Sequence, residues 1–261
     1  MNTANKSVVI IGAGNVGMHL AMLFREHGVD VTVACRDSVS AAKYLNSSVQ
    51  LVPMQSIPPV ADLYLLALKD SVIPEVAAAL PAVEGIVAHT SGSIGLEPIS
   101  KFQKRGVFYP FQSFRKEIPL TVKDFPVLIE ASDDEALSEL NNIAGLISST
   151  VLDATADIRA GIHTAGVFVS NFTNLMYRAG WDVAEMKKFN APELLLPLIQ
   201  ETALRLQYKQ PSELQTGPAI RNDRETIDKH LALLNDNSDL QQIYRYLTNA
   251  LLKQYGHEEL P

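Results

Sequence analysis

The chain has 261 residues, 47% hydrophobic and 20% charged, which are the proportions of a folded globular protein with room for one large domain or two modest ones. A formal net charge of -7, with no cluster of lysines and arginines to offset it, argues against a nucleic-acid partner and against an anionic membrane surface. No charged segment followed by an apolar leader opens the chain, and no apolar run reaches membrane-spanning length, so a cytoplasmic protein is expected. The single cysteine, Cys35, has no partner for an internal disulfide and reads as a packing residue, and no group of Cys, His and carboxylates has metal-site spacing.

The first element is the apolar run Val8-Val9-Ile10-Ile11, which breaks into Gly12-Ala13-Gly14-Asn15-Val16-Gly17. In a G-x-G-x-x-G turn the first glycine allows the tight bend and the second lets the backbone approach a pyrophosphate, while the third lets helix and strand pack closely. Met18 to His27 continues as a helix with Leu20, Leu23 and Phe24 on one face, so its free N-H groups and positive dipole end point at the phosphates. A second strand ends in Ala34-Cys35-Arg36-Asp37-Ser38. Arg36 and Ser38 there favour the added phosphate of NADP over the bare ribose of NAD, with a surface pair between Arg36 and Asp37 as the alternative.

Strands are expected at 6-11, 29-34, 49-53, 62-68, 85-89, 106-110, 126-130 and 149-152, with helices near 15-27, 38-45, 72-80, 95-104 and 133-148. This alternation predicts an α/β, Rossmann-type doubly wound parallel sheet. Ligands of such sheets lie past the carboxyl ends of the strands, so Leu68, Lys69 and Asp70 should border the cofactor, while Asp70 or Ser71 can at the same time cap the next helix. The turn His89-Thr90-Ser91-Gly92-Ser93 offers hydroxyl and backbone donors at another strand end. Val107 to Phe114 reads either as an aromatic pocket wall or as core.

After Asp153 the pattern is helical throughout, with helices expected at 158-179, 194-208, 220-234 and 239-255. An all-α second domain follows from this, dividing the chain into 1-154 for NADP and 155-261 for substrate and dimerisation. Leucine stripes in the helical part suggest a second copy of the chain as partner. On the long helix, at about 100° per residue, His163, Ser170 and Asn174 share a face with Asn171 at its margin. Such a row is either internally hydrogen-bonded or turned to a small-molecule substrate, in which case His163 moves the proton that accompanies hydride transfer, since an imidazole exchanges protons near neutrality. Arg221, after Gly217-Pro218, either holds a substrate carboxylate or pairs with Asp223 or Asp228.

The glycine turn, the block His89 to Ser93, the segment Tyr109 to Phe114, the helix opening His163 to Phe172 and the stretch Gln215 to Asp223 together resemble one family. It comprises NADP oxidoreductases with a Rossmann-like N-terminal half and a C-terminal domain of unknown function of the DUF2520 type. More distantly the layout is similar to pyrroline-5-carboxylate reductase and to the 6-phosphogluconate and 3-hydroxyisobutyrate dehydrogenases. In those dehydrogenases a serine-glycine turn like Ser91-Gly92 touches substrate and a lysine on the first long helix is the acid-base. Here His163 occupies the comparable place and no lysine lies near it. From the polar line and the serine-glycine turn together, the candidate catalytic residues are His163, Ser91 and Asn171 and the candidate substrate contacts Ser91, Gly92, Ser93, Ser170, Asn174 and Arg221; the resemblance implies a dimer through the helical domains. The expected activity is hydride transfer between NADP and a small polar carbonyl, imine or hydroxy acid in the cleft between domains. Two alternatives stand beside it: an NADP-binding redox sensor without turnover, and an NADP reductase linked to coenzyme F420, whose family the N-terminal half also resembles.

Overall fold

The computed structural model describes residues 6-43 and 49-261, except for the side chains of Ser38 and Ser40. The chain forms two compact units, Met1–Asn171 and Phe172–Pro261.

The first unit is built on an eight-stranded sheet in the order β3-β2-β1-β4-β5-β6-β7-β8. Its strands are β1 Ser7–Ile11, β2 Asp30–Cys35, β3 Gln50–Pro53, β4 Val60–Leu66, β5 Glu84–His89, β6 Arg105–Pro110, β7 Val127–Ala131 and β8 Val151–Asp153. Continuous apolar runs such as Leu63-Tyr64-Leu65-Leu66 are buried on both faces, as strands of a parallel sheet must be when helices cover each side. One face packs under α1 (Asn15–Glu26) and α4 (Asp134–Ala144) through Leu20, Leu23, Phe24, Leu140 and Ile143. The other packs under α3 (Ile73–Ala79) and a 3-10 turn, Glu97–Ile99, through Ile73, Ala77, Ile99 and Phe102. Each fully buried aliphatic side chain contributes roughly 1.5–3 kcal/mol, so this two-sided burial dominates the stability of the unit.

All eight expected strands are present, and the sheet departs from the parallel expectation at one pair. β7 runs antiparallel to β6, with Phe108 opposite Ile129, and β8 is again parallel to β7. The physical reason lies in the link 111-126, which contains no helix to carry the chain back across a face of the sheet. Instead the link passes the start of α1, where Lys116 N donates to Asn15 Oδ1 at 3.2 Å and the His19 ring bonds Arg115 O at 2.9 Å. The next strand then re-enters from the same end. The helix expected at 95-104 is also corrected: only the Glu97–Ile99 turn forms there, with Pro98 in its first positions. Of the helix expected near 38-45, α2 spans Ser38–Ala42, and its last two residues lie outside the described residues.

The first unit closes with α5, Ala156–Gly166, capped by Thr155, whose hydroxyl accepts from Ile158 N. It runs into a π-helical segment, Val167–Phe172. The second unit is helical: α6 Thr173–Lys187, α7 Ala191–Leu204, α8 Pro211–Leu214, α9 Arg224–Leu233 and α10 Ser238–Gln254. α9 starts later than the expected 220, because Asn222 is left-handed at φ 52° and Asp223 caps the helix by accepting from Thr226 N. Its core joins Ala219, Ile227, Leu231, Leu252 and Leu260. Among the described residues no helix is long and apolar enough to cross a membrane, and no group of three potential metal ligands forms.

Candidate dinucleotide and proton-transfer site

The carboxyl ends of β2, β1, β4 and β5 lie side by side, tied by Gly12 N to Ala34 O, Ala67 N to Ile11 O and Thr90 N to Leu66 O. The strand order reverses between β1 and β4, which is where a doubly wound sheet opens a crevice. The glycine turn sits there, and its three glycines have three different reasons. Gly12 has φ +112°, and a Cβ on it would lie 2.6 Å from Ala67 O. A Cβ on Gly17 would lie 2.1 Å from Gly12 O, so this glycine lets α1 close onto the turn. A Cβ on Gly14 would meet nothing within 4 Å. Nothing within the chain requires glycine at 14, whereas a ligand approaching its backbone would.

α1 begins at Gly14 without a side-chain cap and without an acidic residue in its first turn, leaving the N-H groups of Asn15, Val16 and Gly17 open to an anion. Ala13 packs half-buried against Met18 and Cys35. Burial raises the Cys35 thiol pKa, and the nearby Asp37 charge adds to the rise, which keeps the thiol protonated and inert as a packing residue should be. Arg36 is exposed and makes no ion pair with another described residue, so the expected alternative of a pair with Asp37 does not form. The Ser38 side chain lies outside the described residues. Leu68 is half-buried beside Gly12, and Lys69 is exposed at the turn that starts the 3-10 segment Asp70–Val72.

The second cluster lies past β5 and β6. His89 is fully buried; its Nε2 bonds Gly95 O at 2.8 Å and its Nδ1 accepts from Ser91 N at 3.2 Å. Burial depresses its pKa, so the ring is neutral with its proton on Nε2, and it braces the loop 90-95. Ser91 Oγ in turn accepts from Ser93 N at 3.1 Å and Ile94 N at 3.4 Å, while Ser93 Oγ donates to Asp70 Oδ2 at 2.5 Å. These bonds join the loops after β4 and β5. Gly92 lies against the face of Tyr109, where a Cβ would stand 2.7 Å from Cζ.

Tyr109 is half-buried, and its hydroxyl is 2.9 Å from His163 Nδ1. His163 and Gly92, which stands between Ser91 and Ser93, therefore meet at one tyrosine within the first unit. Phe111 packs on Gly166, whose missing Cβ would lie 2.8 Å from its ring, and Phe108 and Phe114 of the same segment are buried in the core. Ser170 and Asn171 are exposed in the π segment. A π segment takes more residues per turn than an α-helix, so the face drawn from His163 through Ser170 to Asn174 cannot be extrapolated across it. Asn174 is exposed on α6, in the second unit. Arg221 is also exposed there, and its charge helps hold the Asp223 carboxyl below the usual range, behind the bonds from Thr226.

Arg159 escaped the sequence reading. It is 0% exposed, its Nη1 donates to Glu130 and, at 2.6 Å, to Ala154 O, and its Nη2 donates to Ile94 O at 2.8 Å. One guanidinium thus joins α5, β7 and the Ser91–Ile94 loop and holds His163's helix in register with that loop. The signal in the sequence was faint: a cation in the first turn of a helix, where the dipole opposes it.

A Rossmann-like domain model matches residues 1-111, and the model of the domain of unknown function DUF2520 matches residues 125-251. Among solved structures, the chain is similar to a putative NADP oxidoreductase of Bacteroides fragilis at 33% identity and TM-score 0.86, covering 95% of this chain and 98% of that one. A protein of Thermotoga maritima aligns at 20% identity and TM-score 0.77, covering 95% and 98% of the two chains. A reductive aminase of Aspergillus terreus in complex with NADPH and ethyl-5-oxohexanoate aligns at 13% identity and TM-score 0.69, covering 98% and 97%, which supports the fold alone. A search of curated proteins gives no match. By its two domain models and its full-length likeness to the Bacteroides protein, the chain belongs to the family that joins a Rossmann-like domain to a DUF2520 domain.

Proposed function

We propose that the protein is an NADP-dependent oxidoreductase that transfers hydride to or from a small polar carbonyl, imine or hydroxy acid. The observation that carries this reading is the empty space over Gly14 at the uncapped start of α1, together with an exposed Arg36 that forms no ion pair among the described residues. The turn Gly12 to Gly17 would hold the pyrophosphate through its N-H groups, Arg36 and Ser38 the added phosphate, and Leu68 and Lys69 the neighbouring part of the cofactor. When bound, NADPH supplies the hydride. Ser91, Gly92 and Ser93 would hold the reacting group, in a hydrogen-bond chain in which Ser91 Oγ lies 3.4 Å from Ser93 Oγ and Ser93 donates to Asp70. His163 would carry the proton. Ser170 and Asn171 complete the proposed substrate contacts of the first unit.

In this reading residues 1-154 bind the dinucleotide, and 155-261 serve substrate and dimerisation. The exposed leucines of α7 support a homodimer. The relative described as an NADP oxidoreductase supports the coenzyme. The free thiol of Cys35 suits the reducing cytoplasm. Calorimetric titration with NADPH and NADH tests the proposal. NADPH should bind more tightly than NADH, and Arg36→Ala should cost NADPH about 1.5–3 kcal/mol, the worth of hydrogen bonds to a charged group, while leaving NADH unchanged. Equal affinities in both proteins would remove the NADP assignment, and absence of binding would remove the function.

A further inference from the structure

The proton-bearing end of His163 is decided by its partner. Tyr109 Oη stands 2.9 Å from His163 Nδ1, with the two rings tilted at 60° to one another and 6.1 Å apart. The phenol is boxed in: Gly92 lies on its face, and Phe111 meets it edge-on at 6.2 Å. Among the described residues His163 is the one hydrogen-bond partner of that hydroxyl. Burial, and then the charge of Asp70, hold the phenol's pKa above its ordinary value, so it keeps its proton at neutrality. A phenol hydroxyl can donate or accept, but it is a stronger donor than a neutral imidazole N–H and an imidazole nitrogen a stronger acceptor than a phenol oxygen, so the favoured bond runs from Tyr109 to Nδ1 and leaves the ring proton on the other nitrogen.

We infer that Tyr109 is a positioning residue that directs its hydroxyl at His163 Nδ1 and keeps the proton of the neutral imidazole on Nε2, so that the exposed edge of the ring offers a hydrogen-bond donor to a bound substrate. The inference rests on the proposed function for its role, while the tautomer itself is a property of this chain. When the ring is also protonated at Nδ1, the Tyr109 hydroxyl turns to accept from it, and Nε2 still carries hydrogen. In the proton step the Nε2–H bond of the imidazolium breaks and an O–H or N–H bond forms on the substrate atom that has gained electron density from the hydride. The imidazole is left neutral with its remaining proton on Nδ1, held by Tyr109 Oη. Solvent then returns a proton to Nε2, which the exposed position of His163 permits.

The test uses the full chain, labelled with 15N-histidine, and long-range 1H–15N correlation at a pH where imidazole is neutral. His163→Gln identifies the His163 signals. In the unaltered protein Nδ1 should resonate as the bare nitrogen and Nε2 as the protonated one. In Tyr109→Phe, which keeps the ring against Gly92, both nitrogens should move toward the exchange-averaged positions of a free imidazole. Protonated Nδ1 in the unaltered protein, or spectra that do not change in Tyr109→Phe, would overturn the inference. The spectra need no coenzyme, so a failure of NADPH to bind counts against the proposed function and leaves this result standing.

Discussion

At the scale of single residues, two glycines three positions apart have opposite surroundings. A methyl group on Gly17 collides with Gly12 O inside the chain, whereas a methyl group on Gly14 enters open space at an ordinary φ of -83°. Gly17→Ala should therefore lower stability by about 1–3 kcal/mol, the usual cost of overpacking, as read from urea unfolding. Gly14→Ala should change stability by less than about 0.5 kcal/mol yet weaken NADPH about tenfold or more, or 1.4 kcal/mol, in calorimetry. Equal behaviour of the two variants would contradict the assignment. His89 gives a pH signature. Burial lowers its pKa in the fold, so the unfolded chain binds the extra proton more readily, and stability is complete above about pH 6.5 and declines as pH falls below it. The urea midpoint should follow that slope, and His89→Gln should flatten it.

At the scale of elements, Arg159 explains why α5 presents His163 to the Ser91–Ser93 loop and not to solvent alone. The guanidinium bonds Glu130 on β7 and the carbonyl of Ile94, two places far apart in the chain. Glu130 is half-buried but Arg159 is fully buried, so removing the carboxylate strands a buried guanidinium, at a cost of up to about 3–5 kcal/mol. Glu130→Ala should show that loss in urea unfolding. A loss under about 1 kcal/mol would mean the pair behaves like a surface contact. Glycine-rich and apolar signals located the strands, because burial on both faces writes an unbroken hydrophobic run. The antiparallel β7 was hidden, since strand direction depends on where the link 111-126 passes, and that path is set by contacts to Asn15 and His19. The π segment was equally hidden in an apolar stretch that reads as plain helix.

At the scale of the whole molecule, α7 carries Leu194 and Leu198 at helical spacing, 58% and 64% exposed, with Leu204 beyond them. Apolar side chains aligned in this way are expected to be covered by a second copy. Sedimentation should give the mass of a dimer, and Leu198→Glu should shift it toward monomer. A monomeric unaltered protein would remove the homodimer from the proposal.

By itself the sequence determined the doubly wound sheet, the dinucleotide turn and the change to helices after Asp153, because each depends on short-range periodicity or on a local backbone requirement. It singled out His163, Ser91 and Gly92 through residue type and resemblance. Only the tertiary structure decided that Tyr109 faces His163, that Arg159 is buried and that Gly14 opens onto space while Gly17 does not. Those relations join residues distant in the chain, and no local pattern encodes which distant atoms will meet when the hydrophobic layers close.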